Sequence, residues 1–248
     1  MKKKTYFASD FHLGVGAKYS SREREQQIVR WLDTIEKDAD ALYLIGDVFE
    51  FWFEYPSVVP KGYVRLLGKL ATMRDAGLPI YFFTGNHDIW MFQYFEEELG
   101  IPTYRQPIER IIQGKRFYIG HGDGLGPGDI GYKWLKKVFT NRFCQTLFSW
   151  LHPTLGMKLA GYSSQKSREA KYDQKKVWQG EEKEWLVAYC QRKLDTLPAD
   201  YFVFGHRHLP TDFLLKNQKS RYINTGDWLH YNSYAVFDGE EMRVEYFV

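Results

Sequence analysis

Five short polar motifs, each following an apolar run, constrain this 248-residue chain more than any other feature. They are Asp10-Phe11-His12, Gly46-Asp47, Gly85-Asn86-His87-Asp88, Gly120-His121-Gly122-Asp123 and Gly205-His206-Arg207-His208. The runs before them read as buried strands: Thr5 to Ser9, Ala41 to Ile45, Pro79 to Thr84, Arg116 to Ile119 and Tyr201 to Phe204. Helical patterns separate the first three. Ser21 to Asp38 places Ile28, Trp31, Leu32 and Ile35 on one face, with Ser20 or Ser21 as its cap, and Val64 to Ala76 is stopped by Gly77. Strand, helix, strand, helix, strand implies a parallel sheet with right-handed crossovers. In such sheets ligands collect at the carboxyl ends of the strands, where these motifs fall.

After Ile101 the pattern changes. Arg110 to Ile112 and Arg116 to Ile119 flank a Gln113-Gly114-Lys115 turn and read as a hairpin. A Glu-rich helix is expected from about Glu181 to Leu194. Further strand signals lie at Asp212 to Leu215, Ser220 to Asn224, Tyr234 to Phe237 and Arg243 to Val248. The region from about 125 to 195 reads as a helical insertion within a single domain spanning the chain.

Taken singly, each motif is weak. Gly-Asp after a strand is commonly a turn, Asn86 or Asp88 could cap a helix, and His206 and His208 could be hydrogen-bonded structural histidines. Together they are not weak, because five of the seven histidines (12, 87, 121, 206 and 208) fall inside them. Four of the motifs also carry a glycine that permits a sharp turn. Imidazole nitrogens mixed with carboxylate and amide oxygens suit Mn, Fe, Zn or Co rather than Ca. No cysteine joins the set, which argues against a structural zinc. Six or seven ligands are too many for one tetrahedral ion, but they fit two ions sharing a carboxylate at a separation of ~3.5–4 Å.

The two cysteines, Cys144 and Cys190, form no C-x-x-C pair and no disulfide framework, so a reducing compartment is expected. The basic stretch Met1 to Phe7 enters a strand without an apolar h-region, and no run reaches the ~20 apolar residues of a membrane span. A soluble, cytoplasmic protein is the expectation.

In order, the five motifs resemble the signature of the calcineurin-like metallophosphoesterase superfamily. The resemblance implies an α/β fold of the four-layer αββα sandwich type. It implies that Asp10, His12, Asp47 and His208 hold a first metal, and that Asp47 bridges to a second completed by Asn86, His121 and His206. Water between two such cations has a strongly lowered pKa and attacks phosphorus at neutral pH. His87 is then the expected general acid or transition-state donor at the leaving oxygen, oriented by Asp88.

The substrate is read from the insertion. The chain's net charge of +3 hides a basic block: Ile130 to Lys176 holds ten Lys/Arg against Glu169 and Asp173, giving +8 there and −5 elsewhere. Trp134, Leu135, Val138, Phe139, Phe143, Leu147, Trp150 and Leu151 recur at helical spacing, with Lys133, Lys136, Lys137 and Arg142 interleaved. Such a stripe can simply bury itself on the core, or it can meet acyl chains while the basic residues meet phosphates or an anionic membrane. The 18% aromatic content fits either reading.

Further motifs narrow the resemblance: Gly46-Asp47-Val48-Phe49-Glu50-Phe51-Trp52, His121-Gly122-Asp123, Asn141-Arg142-Phe143-Cys144-Gln145-Thr146-Leu147-Phe148, the Ser163 to Arg168 patch and Gly226-Asp227-Trp228. Over nearly the whole chain these are similar to the UDP-2,3-diacylglucosamine pyrophosphohydrolase family of the lipid A pathway. That implies attack at the α-phosphorus to release UMP and 2,3-diacylglucosamine 1-phosphate, Mn2+ as the metal, and peripheral contact with the inner membrane. Asn141, Arg142, Ser163, Ser164, Lys166 and Arg168 become candidates for substrate contact. Neither nucleic acid nor an obligate protein partner is implied. One departure stands out, since many members of that family carry Arg where this chain has His87. The alternative is a phosphatase or phosphodiesterase acting on a soluble nucleotide or phosphoprotein. A nucleic-acid exonuclease fits poorly, because its aromatics would be exposed for base stacking along a backbone groove.

Overall fold

Strand residues alternate between two apolar environments, and that alternation sets the order of the layers. In β1 (Lys4–Ala8) Tyr6 and Ala8 face one side and Phe7 the other. In β2 (Ala39–Ile45) Leu42 and Leu44 oppose Tyr43 and Ile45, and in β3 (Ile80–Phe83) Ile80 and Phe82 oppose Phe83. The structure, a computed structural model, describes residues 3–126, 130–161, 178 and 180–248. The first side of the sheet is covered by α1 (Ser21–Ile35) and α2 (Val64–Asp75), through Ile28, Trp31, Leu32, Leu66, Leu70 and Met73.

The parallel strands β1, β2, β3 and the short β4 (Thr103–Tyr104) form one side of a six-stranded sheet. Its other edge comes from the end of the chain: β10 (Ser233–Phe237) pairs antiparallel with β1, and β11 (Met242–Tyr246) pairs antiparallel with β10. The second sheet has the order β5-β6-β7-β9-β8. It is made of Ile108–Ile112, Lys115–Ile119, Tyr201–Phe204, Arg221–Asn224 and Thr211–Leu214 respectively. Its β5–β6 hairpin turns through Gln113 (φ 47°) and Gly114 (φ 85°), both left-handed, which matches the right-handed twist of the strands.

Phe117, Ile119, Tyr201, Val203 and Ile223 meet Phe7, Tyr43, Ile45 and Phe83 between the sheets. Tyr118, Phe202 and Phe204 face outward onto α7 (Trp185–Lys193), through Leu186, Val187 and Cys190. The layers are therefore helix, sheet, sheet, helix, as the resemblance implied. Helix α1 ends at Ile35 rather than Asp38, and the last helix starts at Trp185 rather than Glu181. The sequence pattern also misses β4 and α3 (Tyr94–Leu99), both too short to show a period.

Local chemistry fixes the helix starts. Ser20 forms a capping box with Glu23, each side chain accepting from the other's backbone N–H. Tyr63, at the start of α2, makes no side-chain cap. The buried Glu25 of α1 accepts instead from Arg65 N at 2.9 Å and Leu66 N at 3.2 Å, so one helix caps the other.

Between β6 and β7 the described residues form α4 (Ile130–Thr140), α5 (Arg142–Ser149), a helical stretch α6 (153–161) and α7. The aromatic stripe divides here. Phe139 and Phe148 pack on Trp90, and Phe148 also packs on Phe53, while Trp90 Nε1 donates to the Phe139 carbonyl at 2.7 Å. Trp134, Phe143 and Trp150 stay 68%, 70% and 77% exposed. High aromatic content thus serves two ends, the core and an outward face. Among the described residues no helix is long and apolar enough to cross a membrane.

Arg24 is the buried cation that shapes the loop after β1. Its Nε donates to Phe11 O at 2.8 Å, and its Nη2 donates to His12 O at 2.8 Å and Val15 O at 2.5 Å. Arg24→Ala removes its donors from the Phe11, His12 and Val15 carbonyls. It is expected to lower stability by roughly 3 kcal/mol, read as a fall in the urea midpoint at unchanged slope.

Candidate metal centre

The five motifs converge at the carboxyl ends of β1, β2, β3, β6 and β7, and their backbone is bent to make them do so. Among the described residues nine other than glycine have positive φ, and five of these are Asp10, His12, Asp47, His206 and His208. Each left-handed residue costs on the order of 1 kcal/mol, and such strain persists only where the surroundings over-determine it. Glycines admit the closest approaches: a Cβ on Gly85 would collide with Asp47, and one on Gly205 with Ser9 and Asp10.

Among the described residues three groups of side chains lie close enough to hold a cation: Asp10, His12 and His208; His12, Asp47 and His87; and Asp47, His121 and His206. Asp47 stands in two of them. Its Oδ2 lies 3.2 Å from His121 Nε2 and 3.8 Å from His12 Nε2, while Oδ1 accepts from His87 N at 2.8 Å. Asn86 Oδ1 is 3.4 Å from His121 Nε2. The structure thus brings together all seven sequence-predicted ligands and His87.

Hydrogen bonds on the outer side of each ring decide what faces inward. His12 Nδ1 donates to Glu50 Oε2 at 2.9 Å, His208 Nδ1 to Asp227 Oδ2 at 3.0 Å, and His121 Nδ1 to Ile45 O at 2.9 Å. A neutral imidazole that donates through Nδ1 carries its lone pair on Nε2. The Nε2 atoms of His12 and His208 then face each other at 3.2 Å in stacked rings, with Asp10 Oδ1 3.1 Å from His208. Asp10 Oδ2 accepts from Ser9 Oγ and from His206 N, but among the described residues the buried Oδ1 accepts no hydrogen bond. Converging lone pairs around a bare carboxylate oxygen are what a cation site looks like from within, so the residues fit a metal pair.

Charge follows the same logic. Burial works against the Asp10 carboxylate, but facing His208 and His12 hold its pKa down at about 2. Asp47, equally buried, is held well below the usual carboxylate range by His121 and His87. Burial disfavours a charged His121, yet Asp47 and Asp10 push its pKa up to about 10. Burial, with the His121 charge beside it, lowers His206 to about 3. Burial is also the main cause for His87, which falls to about 4. The facing carboxylates thus favour positive charge at His121.

Asp88 departs from its expected role. It does not orient His87, whose Nδ1 donates to the Glu50 carbonyl at 2.9 Å. The Asp88 carboxylate instead accepts from Gly85 N at 2.7 Å and Val48 N at 2.8 Å, tying the loops after β2 and β3 together. Its place within the motif could not show this, because one of the donors comes from another loop. Glu50, Asp227 and Arg207 are likewise given no role by sequence. Arg207 points away from its flanking histidines into a two-bonded pair with Glu184, at 2.8 and 2.7 Å, which docks the His206–His208 turn onto the start of α7.

Of the candidates for substrate contact, Asn141 caps α5 by accepting from Phe143 N and Cys144 N, and Arg142 is exposed. Ser163, Ser164, Lys166 and Arg168 lie outside the described residues. The insertion meets the centre through Asp123, just beyond His121, which binds Lys136 Nζ of α4 at 2.6 Å.

Comparison with known proteins agrees with this geometry. The profile of the calcineurin-like phosphoesterase family matches residues 3–210. UDP-2,3-diacylglucosamine hydrolase of Porphyromonas gingivalis is 37% identical over 257 aligned residues, covering 99% of this chain and 98% of that one. The protein of the same name from Aeromonas salmonicida is 29% identical over 259 aligned residues, with 97% and 92% covered. Among solved structures, Yfce, a phosphoesterase from E. coli, aligns with a TM-score of 0.50 at 16% identity, covering 98% of this chain and 93% of that one. At that identity the likeness is one of fold.

Because His121 must lose its proton before Nε2 can bind a metal, loading at neutral pH should release protons. Affinity should therefore rise with pH up to about 10. Calorimetry of Mn2+ binding in buffers of different ionisation enthalpy measures the release directly; heats independent of the buffer would contradict it.

Proposed function

The chain belongs to the calcineurin-like phosphoesterase family, and we propose that within it the substrate is UDP-2,3-diacylglucosamine, cleaved at the pyrophosphate to UMP and 2,3-diacylglucosamine 1-phosphate. The observation that carries this reading is an exposed apolar and basic helical face anchored at the metal-ligand cluster. Trp134, Leu135, Phe143 and Leu147 are exposed on α4 and α5 and Trp150 just beyond α5, alongside Lys137 and Arg142. Phosphate groups and acyl chains together match that mixture, and so does an anionic bilayer surface on which the enzyme rests peripherally. The activity that names relatives aligning over nearly the full length points the same way.

In this reading Asp10, His12, Asp47 and His208 hold one divalent cation, and Asp47, Asn86, His121 and His206 hold the second, with Mn2+ as the favoured metal. Bound there, the pair supplies an acidified water as nucleophile and fixed positive charge for the phosphate oxygens. His87 is fixed through Nδ1 on the Glu50 carbonyl, which leaves Nε2 to hold a proton for the leaving oxygen. With its pKa lowered to about 4 the ring is neutral at pH 7, and the arriving phosphate charge favours the protonated form needed for donation. Arg142, Ser163, Ser164, Lys166 and Arg168 are proposed to contact the substrate. Asn141 contributes by fixing the start of α5.

Mixed micelles of UDP-2,3-diacylglucosamine with Mn2+ should yield UMP. Turnover of soluble nucleotides or phosphopeptides alone would instead support the water-soluble alternative. Asp47→Ala should abolish turnover, since one side chain serves both ions. His87→Ala should lower kcat by ~10²–10³ with little change in metal content by elemental analysis. Retained activity in Asp47→Ala would overturn the shared-ligand reading.

A further inference from the structure

The helices of the insertion have few attachments to the core. Helix α5 buries no side chain fully, and Trp134, Leu135 and Phe143 face outward. An eleven-residue helix such as α4 has little stability by itself, so its place is set by what it touches. Tyr132 and Lys136 lie one turn apart on one face of α4, and both donate to the same oxygen of Asp123, a residue only 6% exposed. Lys133 Nζ adds a bond to Gly126 O at 2.6 Å. Lys136 is one of the basic residues interleaved with the aromatic stripe, yet it turns inward onto a carboxylate.

The loop that receives these groups is built into the metal-ligand cluster. It starts at His121, and Gly126 approaches Trp185 so closely that a Cβ there would collide with the indole. Trp185 in turn meets the edge of the His206 ring, with centroids 5.7 Å apart. At the other end of α4 the tie is the bond from Trp90 Nε1 to Phe139 O. A buried, charged contact adds little net stability but fixes orientation. We infer that Lys136 and Tyr132 are positioning residues that fix the outward apolar face relative to the cluster, and so set selectivity for an amphiphilic phosphate ester over a soluble one. An ester that touches only the cations does not sense where α4 stands, whereas one that reaches the cations and the apolar face together does. This rests on the substrate class proposed above.

Kinetics on two substrates, with hydrogen–deuterium exchange of the substrate-free chain, test it. Lys136→Met keeps an unbranched side chain without the charge, and Tyr132→Phe removes one hydroxyl. Lys136→Met is expected to raise KM for mixed micelles of UDP-2,3-diacylglucosamine ~10–100-fold at similar kcat, and Tyr132→Phe to do so less. Hydrolysis of bis-para-nitrophenyl phosphate and metal content should stay as in the natural chain, and Lys136→Arg should recover most of the loss. Without substrate, the amides of α4 should exchange faster in Lys136→Met while those of β1, β2 and β6 do not. Equal losses on both substrates, or no loss on either, would overturn the selectivity. A raised KM with unchanged exchange in α4 would mean that Lys136 touches the substrate itself, which overturns the positioning role. If the natural chain hydrolyses the soluble ester alone, the substrate class falls instead, and exchange still decides whether Lys136 holds α4. Tyr132→Phe keeps the test open where Lys136→Met fails to fold.

Discussion

Three histidines hand their outer protons to the protein and so aim bare nitrogens at one another and at two buried carboxylates. Without positive charge between them this arrangement is repulsive, which is why Asp47 and Asp10 push the His121 pKa up. The rest of the architecture serves to keep these groups from drifting apart. Because Asp47 faces both halves of the cluster, displacing its loop would disturb both at once.

That loop is held from several directions, each by a side chain distant in sequence. Asp88 gathers backbone N–H groups on either side of it. Arg24 does the converse for the loop after β1, gathering carbonyls with a buried guanidinium. Arg207 and Glu184 fasten the His206–His208 turn to the outer helix. A buried ion pair of this sort adds little net stability over an apolar pair of the same shape, but it fixes geometry. Beneath these ties lies the two-sided alternation of β1, β2 and β3, which locks register because a slip of one residue would invert every side chain.

Much of this is legible in the amino-acid sequence. Strand ends, the Ser20 cap and the convergence of Asp10, His12, Asp47, Asn86, His121, His206 and His208 follow from short apolar runs closing on polar residues. Elements of two to six residues, β4 and α3, carry no period and leave no trace. Sequence assigns Asp88 the wrong role because its neighbour along the chain, His87, is not its partner in space. Glu50 and Asp227 stand within recognisable motifs without a role, since an outer hydrogen bond depends on which way a ring is turned. The aromatic stripe of the insertion is ambiguous for a related reason: helical spacing marks an apolar face but not what covers it. Phe139 and Phe148 turn inward while Trp134, Phe143 and Trp150 do not.

The left-handed backbone at Asp10, His12, Asp47, His206 and His208 has a consequence for how such a protein can change. Glycine would relax each of these positions, yet glycine offers no atom to a cation, so conformational ease and chemistry compete for the same residues. Selection for thermal robustness alone would erode the centre, because the variants that fold most comfortably are those that have given up a ligand. Improvements must come from elsewhere in the chain, and the surplus stability of the aromatic core is what lets five uncomfortable residues stay where they are.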